Sequence, residues 1–282
     1  MKHKKHFETI IISCVLVLIF MSSISLAGDF GNTKKIGDLG SYGWRGRIGV
    51  ITPLVSKGAL IQIEFNQLMP AGTNMIVENV YLGPKLTEEA LVAMGKDMIG
   101  AAKKLKERGA DVILYGCTTG SLVKGMAYDR KLVEQMKEAT GLPSVTMAGA
   151  VVEALKTLNA KKIVLVTPYP EAITEKEINF FKDNGIIVIS HKSDNYAKGV
   201  PSEFASAPPG FFYRLAKEAF VKDADAVFLS CGNIRTIEII DYLEKDLGVP
   251  VVSSIQASIW KALRMGRINE KIEGYGKLLK EY

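Results

Sequence analysis

The chain has 282 residues, 48% hydrophobic and 23% charged. That balance excludes a disordered or collagen-like polymer and suggests one large domain or two modest ones. The formal charge of +6 includes three lysines within the first five residues, and the remaining excess is scattered, so no nucleic-acid partner is implied. Of three His and three Cys, His3, His6 and Cys14 lie near the N-terminus, leaving His191, Cys117 and Cys231. A zinc ribbon, a His-rich metal site or a c-type haem motif would lack ligands, and no metal is expected.

Residues 1–28 read as a secretory signal peptide. Lys2, Lys4 and Lys5 precede an apolar run from Ile10 to Met21, and Ser25-Leu26-Ala27 offers small residues for cleavage near Ala27. The run is shorter than the roughly 20 residues that span a bilayer. Cleavage would remove three lysines and one glutamate and leave a net charge of +4. The expected mature protein is exported, periplasmic in a Gram-negative cell, and meets a membrane only through an uncleaved signal.

Residues 29–46 are Gly-rich and polar, and read as a lead-in arm. Ile48–Ile51 and Met75–Leu82 are strand candidates. Thr87–Arg108 is helical, with Leu91, Met94, Met98, Ala102 and Leu105 recurring every three or four residues before Gly109. Val112–Tyr115 is a strand ending just before Cys117. Further strands are predicted at Lys162–Val166, Ile186–Ile189 and Ala226–Leu229, and helices at Glu171–Asp183, Phe211–Val221 and Ile234–Leu243. Such alternation predicts an α/β fold with mostly parallel sheets.

The pattern repeats. Ala110-Asp111 leads to Cys117 as Ala224-Asp225 leads to Cys231; Gly141-Leu142-Pro143 follows the first and Gly248-Val249-Pro250 the second. Each Gly-x-Pro is followed by a short strand with a hydroxyl near its end, Thr146 or Ser253. Upstream, Val50-Ile51-Thr52-Pro53 matches Leu165-Val166-Thr167-Pro168. Thr52 precedes Cys117 by 65 residues, and Thr167 precedes Cys231 by 64. The spacing predicts two similar Rossmann-like halves, about 45–155 and 156–258, related by a pseudo-two-fold axis. A C-terminal helix within 258–282 is expected to return to the first half.

Ligands of parallel α/β sheets bind at the carboxyl ends of the strands, where both cysteines fall. A following helix N-terminus is expected to favour each thiolate and to bind carboxylate oxygens. A cysteine in this position is a small buried hydrophobe, half of a structural disulfide in an oxidising compartment, or half of a catalytic pair. Equivalence across the repeat favours the catalytic pair. Facing thiols would flank one small anion, one attacking or deprotonating it and the other delivering a proton. His191 reads as a surface residue. Arg235 either clamps a carboxylate or pairs with Glu238, and Tyr169 either donates a proton or packs.

The segments Gly43–Gly49, Gly116-Cys117-Thr118-Thr119, Val166-Thr167-Pro168-Tyr169, Ser230–Thr236 and Leu247–Ser254 together resemble the aspartate/glutamate racemase superfamily. The resemblance is to its branch of maleate cis-trans isomerases and arylmalonate decarboxylases, over about residues 43–266. It implies an active site between the halves, no cofactor, a small carboxylate substrate and a homodimer. It implies Cys117 as nucleophile or base, Cys231 as opposed proton donor and Tyr169 as a substrate contact. Substrate would also meet Thr52, Pro53, Ser56, Thr118, Thr119, Thr167, Asn233, Arg235 and Thr236. The decarboxylases of this branch lack the first cysteine. Ser56, Gly232 and Ile255 stand where the isomerases usually carry Asn, Thr and Asn, so Leu54, Val55 and Ile255 are expected to favour a bulkier or less polar acid. A non-catalytic exported binding protein and a decarboxylase are the alternative functions.

Overall fold

In the computed structural model, which describes residues 42–54 and 60–282, two parallel sheets of four strands carry the fold. The first half runs β1 (Gly46–Leu54), α1 (Leu60–Leu68), β2 (Thr73–Tyr81), α2 (Glu88–Glu107), β3 (Val112–Tyr115), α3 (Thr118–Leu122), α4 (Met126–Thr140), β4 (Ser144–Thr146) and α5 (Met147–Thr157). The second runs β5 (Lys162–Thr167), α6 (Glu171–Asp183), β6 (Ile187–Ser193), two short 3-10 turns within 196–206, α7 (Pro209–Ala219), β7 (Ala226–Leu229), α8 (Ile240–Leu247), β8 (Val251–Ser253) and α9 (Ser254–Met265). A short α10 (Lys277–Glu281) ends the chain. The strand orders β2-β1-β3-β4 and β6-β5-β7-β8 are the same topology. The secretory signal and most of the lead-in arm lie outside the described residues.

The repeat is written in hydrogen bonds as well as in topology. Asp111 donates its N–H to Arg47 O at 2.8 Å and accepts the Arg47 N–H on its side chain at 2.8 Å. Asp225 and Lys162 make the same exchange at 2.7 Å each way. The Pro143 and Pro250 carbonyls accept from Ile113 and Val227. Gly141 and Gly248 close α4 and α8 in the left-handed conformation, at φ 70° and 71°. Thr146 and Ser253 then cap α5 and α9. Each landmark of the duplicated sequence thus starts, stops or registers an element.

β3 and β7 are buried along their whole length, as central parallel strands must be. One apolar core runs through both halves, which belong to a single compact unit. The expected C-terminal helix is two helices. α9 packs on α5 and α1 of the first half, and α10 packs on α9, with the Trp260 indole N–H donating to the Tyr282 carbonyl at 3.2 Å.

The predicted helix Ile234–Leu243 is absent at its start; turns run to Ile239 and α8 begins at Ile240. The Thr236 N–H donates to the buried Glu64 carboxylate at 2.8 Å, its Oγ1 donates at 3.2 Å, and the Ile237 N–H joins them. These donors leave the helix ladder for a side chain on α1. His191 lies within the edge strand β6 rather than after it, exposed and 3.1 Å from Glu171.

The two caps differ in what they leave behind. Thr146 Oγ1 donates to Asp129 at 2.5 Å while accepting the Gly149 N–H at 3.0 Å. Ser253 accepts the Gln256 N–H and gives no hydrogen bond to a buried carboxylate. Loss of a cap costs about 1 kcal/mol. We expect Ser253→Ala to lower unfolding free energy by about that amount, and Thr146→Ala by about 2 kcal/mol because Asp129 loses its donor. Urea unfolding of the two variants measures the difference.

Candidate active site

In both sheets the strand order reverses between the first and third strand of the half, and the crevice opens at their carboxyl ends. Just past the paired residues, the Gly116 N–H donates to Ile51 O at 2.7 Å and the Ser230 N–H to Val166 O at 2.8 Å. The next residues are Cys117 and Cys231. Both are free, buried thiols, and both line one pocket. A structural disulfide between them is therefore not formed.

Cys117 caps the short helix α3, its sulfur accepting the Gly120 N–H at 3.3 Å with Thr119 Oγ1 at 3.7 Å. A side chain at position 120 would meet Met94 at 2.6 Å and the Tyr115 hydroxyl at 2.7 Å, so glycine permits this approach. Ser121 Oγ donates to the Cys117 carbonyl at 2.8 Å. Cys231 has a different setting. Turns rather than a helix follow it, and its φ of 147° lies where side chains are rarely tolerated. Its N–H donates to Ser254 Oγ at 3.1 Å, its sulfur accepts the Asn233 N–H at 3.3 Å, and the Tyr169 hydroxyl bonds the sulfur. Ser254 Oγ also accepts the Thr118 hydroxyl at 3.0 Å, so this one oxygen ties Cys231 to the first half.

The expectation that helix N-termini depress both thiol pKa values is corrected. Burial outweighs the donors, pushing Cys117 above its ordinary value and Cys231 to about 12. Cys117 is the better supplied with donors: Gly120 N–H, Thr119 hydroxyl and Thr119 N–H all favour its thiolate. Tyr169 is also held protonated by burial and by Cys231 beside it.

Thr52, Pro53, Thr118, Thr119, Tyr169 and Asn233 line the pocket with the thiols. Asn233 Nδ2 donates to Pro201 O at 2.8 Å, which fixes its amide. Three expected substrate contacts are placed elsewhere. Arg235 is exposed and paired with Glu238 at 2.5 Å. Thr236 is buried on Glu64. Thr167 is buried off the pocket, where its Oγ1 accepts the Tyr169 N–H at 3.3 Å and shapes the turn. Ser56 and Val55 lie outside the described residues.

The pocket is a narrow cavity of about 50 Å³. Among the described residues no charged side chain lines it. Its apolar wall is not Leu54, which is exposed, nor Ile255, which is buried away from it. Instead Ile61 on α1, Leu82 and Leu86 after β2, and Pro201 and Phe204 in the 3-10 turns supply it. Phe204 packs on Tyr169 with ring centroids 6.0 Å apart. Sequence reasoning missed these five. The rule that placed the cysteines at strand ends would have found Leu82, but Pro201 and Phe204 follow no periodic pattern.

The arylmalonate decarboxylase family model matches residues 48–279. Arylmalonate decarboxylase from Bordetella bronchiseptica is 32% identical over 237 residues, 83% of this chain and 96% of that protein. Maleate isomerase from Geobacillus stearothermophilus is 26% identical over 248 residues, again 83% and 96%. A solved liganded arylmalonate decarboxylase, a double mutant with one glycine changed to cysteine and one cysteine to serine, aligns with TM-score 0.75 and 29% identity over 84% of this chain and all of that one. The Nocardia farcinica maleate cis-trans isomerase, solved as a mutant with a covalently bound succinylcysteine intermediate, shares the fold with TM-score 0.78 and 22% identity, over 84% of this chain and 99% of that one. With the family model spanning both halves and both cysteines, the chain belongs to the arylmalonate decarboxylase family.

Proposed function

We propose that the protein is a cofactor-independent isomerase or racemase of a small carboxylic acid, with Cys117 as nucleophile or first base and Cys231 as the opposed proton donor. The observation that carries this reading is the pair of free thiols on one narrow pocket, one from each half. The names of the solved decarboxylase mutants place glycine at the first and cysteine at the second of two positions in the parent enzyme. Those positions are as far apart in sequence as Cys117 and Cys231. A cysteine at the first position here supports two-thiol chemistry over simple decarboxylation.

The donors divide the roles. Cys117 gives up its proton to solvent, its thiolate held by three donors, and the sulfur adds to one carbon of a cis-alkene diacid while the alkene electron pair moves to the neighbouring carbon. Cys231, whose buried thiol is held protonated, delivers that proton to the carbon. Rotation about the resulting single bond is followed by return of the proton to Cys231 and expulsion of the Cys117 thiolate, giving the trans acid. With no cation among the described residues that line the pocket, carboxylate oxygens would be held by hydroxyls and amides. Thr119 and Asn233 are placed for this, and Thr118 would turn its hydroxyl from Ser254 to substrate. The apolar wall of Leu82, Leu86 and Phe204 supports an acid with a non-polar flank. That wall, with the 32% identity to arylmalonate decarboxylase, favours decarboxylation of an arylmalonate as the second reading.

Proton NMR in D2O of the reduced protein with maleate, aspartate, glutamate and an arylmalonate tests both. Fumarate formation, or deuterium at an α-carbon, is expected to fall at least about 10³-fold in Cys117→Ala and in Cys231→Ala. Loss of carboxylate that survives Cys117→Ala would establish the decarboxylase instead. Silence across the panel would favour a binding protein.

Removing the hydroxyl in Tyr169→Phe takes one donor from the Cys231 sulfur, and turnover is expected to fall about tenfold to a hundredfold with the fold unchanged by circular dichroism. The strain at Cys231 gives a further expectation. Glycine tolerates its backbone angle, so Cys231→Gly should be about 1 kcal/mol more stable to urea than Cys231→Ala while both are inactive.

A further inference from the structure

Glu177, on α6, is fully buried and takes no part in the chemistry above. Its Oε1 accepts the Ser230 hydroxyl at 2.5 Å. Its Oε2, equally buried, has no hydrogen-bond partner. Ser230 is the residue whose N–H bonds Val166 and which immediately precedes Cys231. The carboxyl lies within electrostatic reach of both Tyr169 and the Cys231 thiol. Burial, opposed only by this one donor, pushes it up to about 8.

Among the described residues, the groups around Glu177 supply no compensating cation. Tyr169 and Cys231 face it from the ends of β5 and β7, and Cys117 lies beyond them. Helix α3, which packs on α6, offers only Thr118–Leu122, with nothing ionisable. On β6, His191 is paired with Glu171 and Lys192 with Glu218 at the surface. On α6 itself, Lys176 is engaged by Glu88.

We propose that Glu177 is a positioning residue acting through Cys231: as a neutral acid it anchors Ser230 and leaves the thiol free to ionise, and as a carboxylate it sets a like charge behind the thiol and holds it protonated. The consequence for turnover, an alkaline limit on activity, rests on the two-thiol reading; the effect on the thiol itself does not.

The test therefore reads the thiol directly. In the full chain carrying Cys14→Ser and Cys117→Ala, so that Cys231 is the one remaining thiol, the rate of Cys231 alkylation by iodoacetamide is followed by intact mass from pH 6.5 to 10, with and without Glu177→Gln. Thiolate-limited alkylation rises about tenfold per pH unit. The Glu177 protein is expected to fall below that slope from about pH 8. Glu177→Gln should match it near pH 7, keep the full slope, and react at least about threefold faster at pH 9.5. Parallel profiles at every pH would overturn the proposal, whatever the activity of the enzyme. Should Glu177→Gln not fold, Ser230→Ala decides. Removing the one donor to the carboxylate should move the bend to higher pH, and a bend left in place would overturn the proposal.

Discussion

The structure depends on where each parallel sheet stops pairing. The Gly116 N–H on Ile51 and the Ser230 N–H on Val166 are made just past the paired strand residues, and in both halves the following residue is a cysteine. A thiol there is off the sheet but still inside the core, at the crevice where the strand order reverses. Each half alone would present its thiol to an open edge. The pocket exists because α9 leaves the second sheet and packs on α5 and α1 of the first, bringing Ser254 between Thr118 and the Cys231 N–H.

Burial sets the chemistry as firmly as it sets the geometry. Desolvation raises the pKa of both cysteines, Tyr169 and Glu177 because each is neutral when protonated. The described lining at rest is therefore close to uncharged, and among the described residues no lysine or arginine lines it. An incoming carboxylate meets dipoles rather than a counter-ion. Such a site stabilises a thiolate only where N–H and O–H groups point at the sulfur, which makes the local turns after each cysteine the determinants of reactivity.

The fold was largely legible because the duplication is local. Asp111 and Asp225, Pro143 and Pro250, Thr146 and Ser253 each act on neighbours within their own half, so similar spacing marks similar structure. What was not legible is non-local. Ile234, Ile237 and Ile240 have helical spacing, yet the segment is held in turns, with the N–H groups of Thr236 and Ile237 on Glu64 from α1. Arg235 was equally balanced between substrate and Glu238 until the turn pointed it outward. Ser254 ends a segment that carries the resemblance and Glu177 belongs to none, but the significance of each is the partner it meets across the fold.

The same divergence bears on the reaction. A racemase uses its two acid–base groups in turn, each serving as base for one enantiomer, so groups of similar proton affinity suit it. Here the repeat began with equivalent cysteines and made them unequal. Cys117 sits on a helical turn with three donors, whereas Cys231 is strained, is followed by turns rather than a helix, and is backed by Glu177. Within the proposed two-thiol chemistry, that inequality favours fixed roles: a sulfur that attacks and a sulfur that keeps a proton to give. Adduct formation followed by protonation needs such a division, and a symmetric exchange of one α-proton does not.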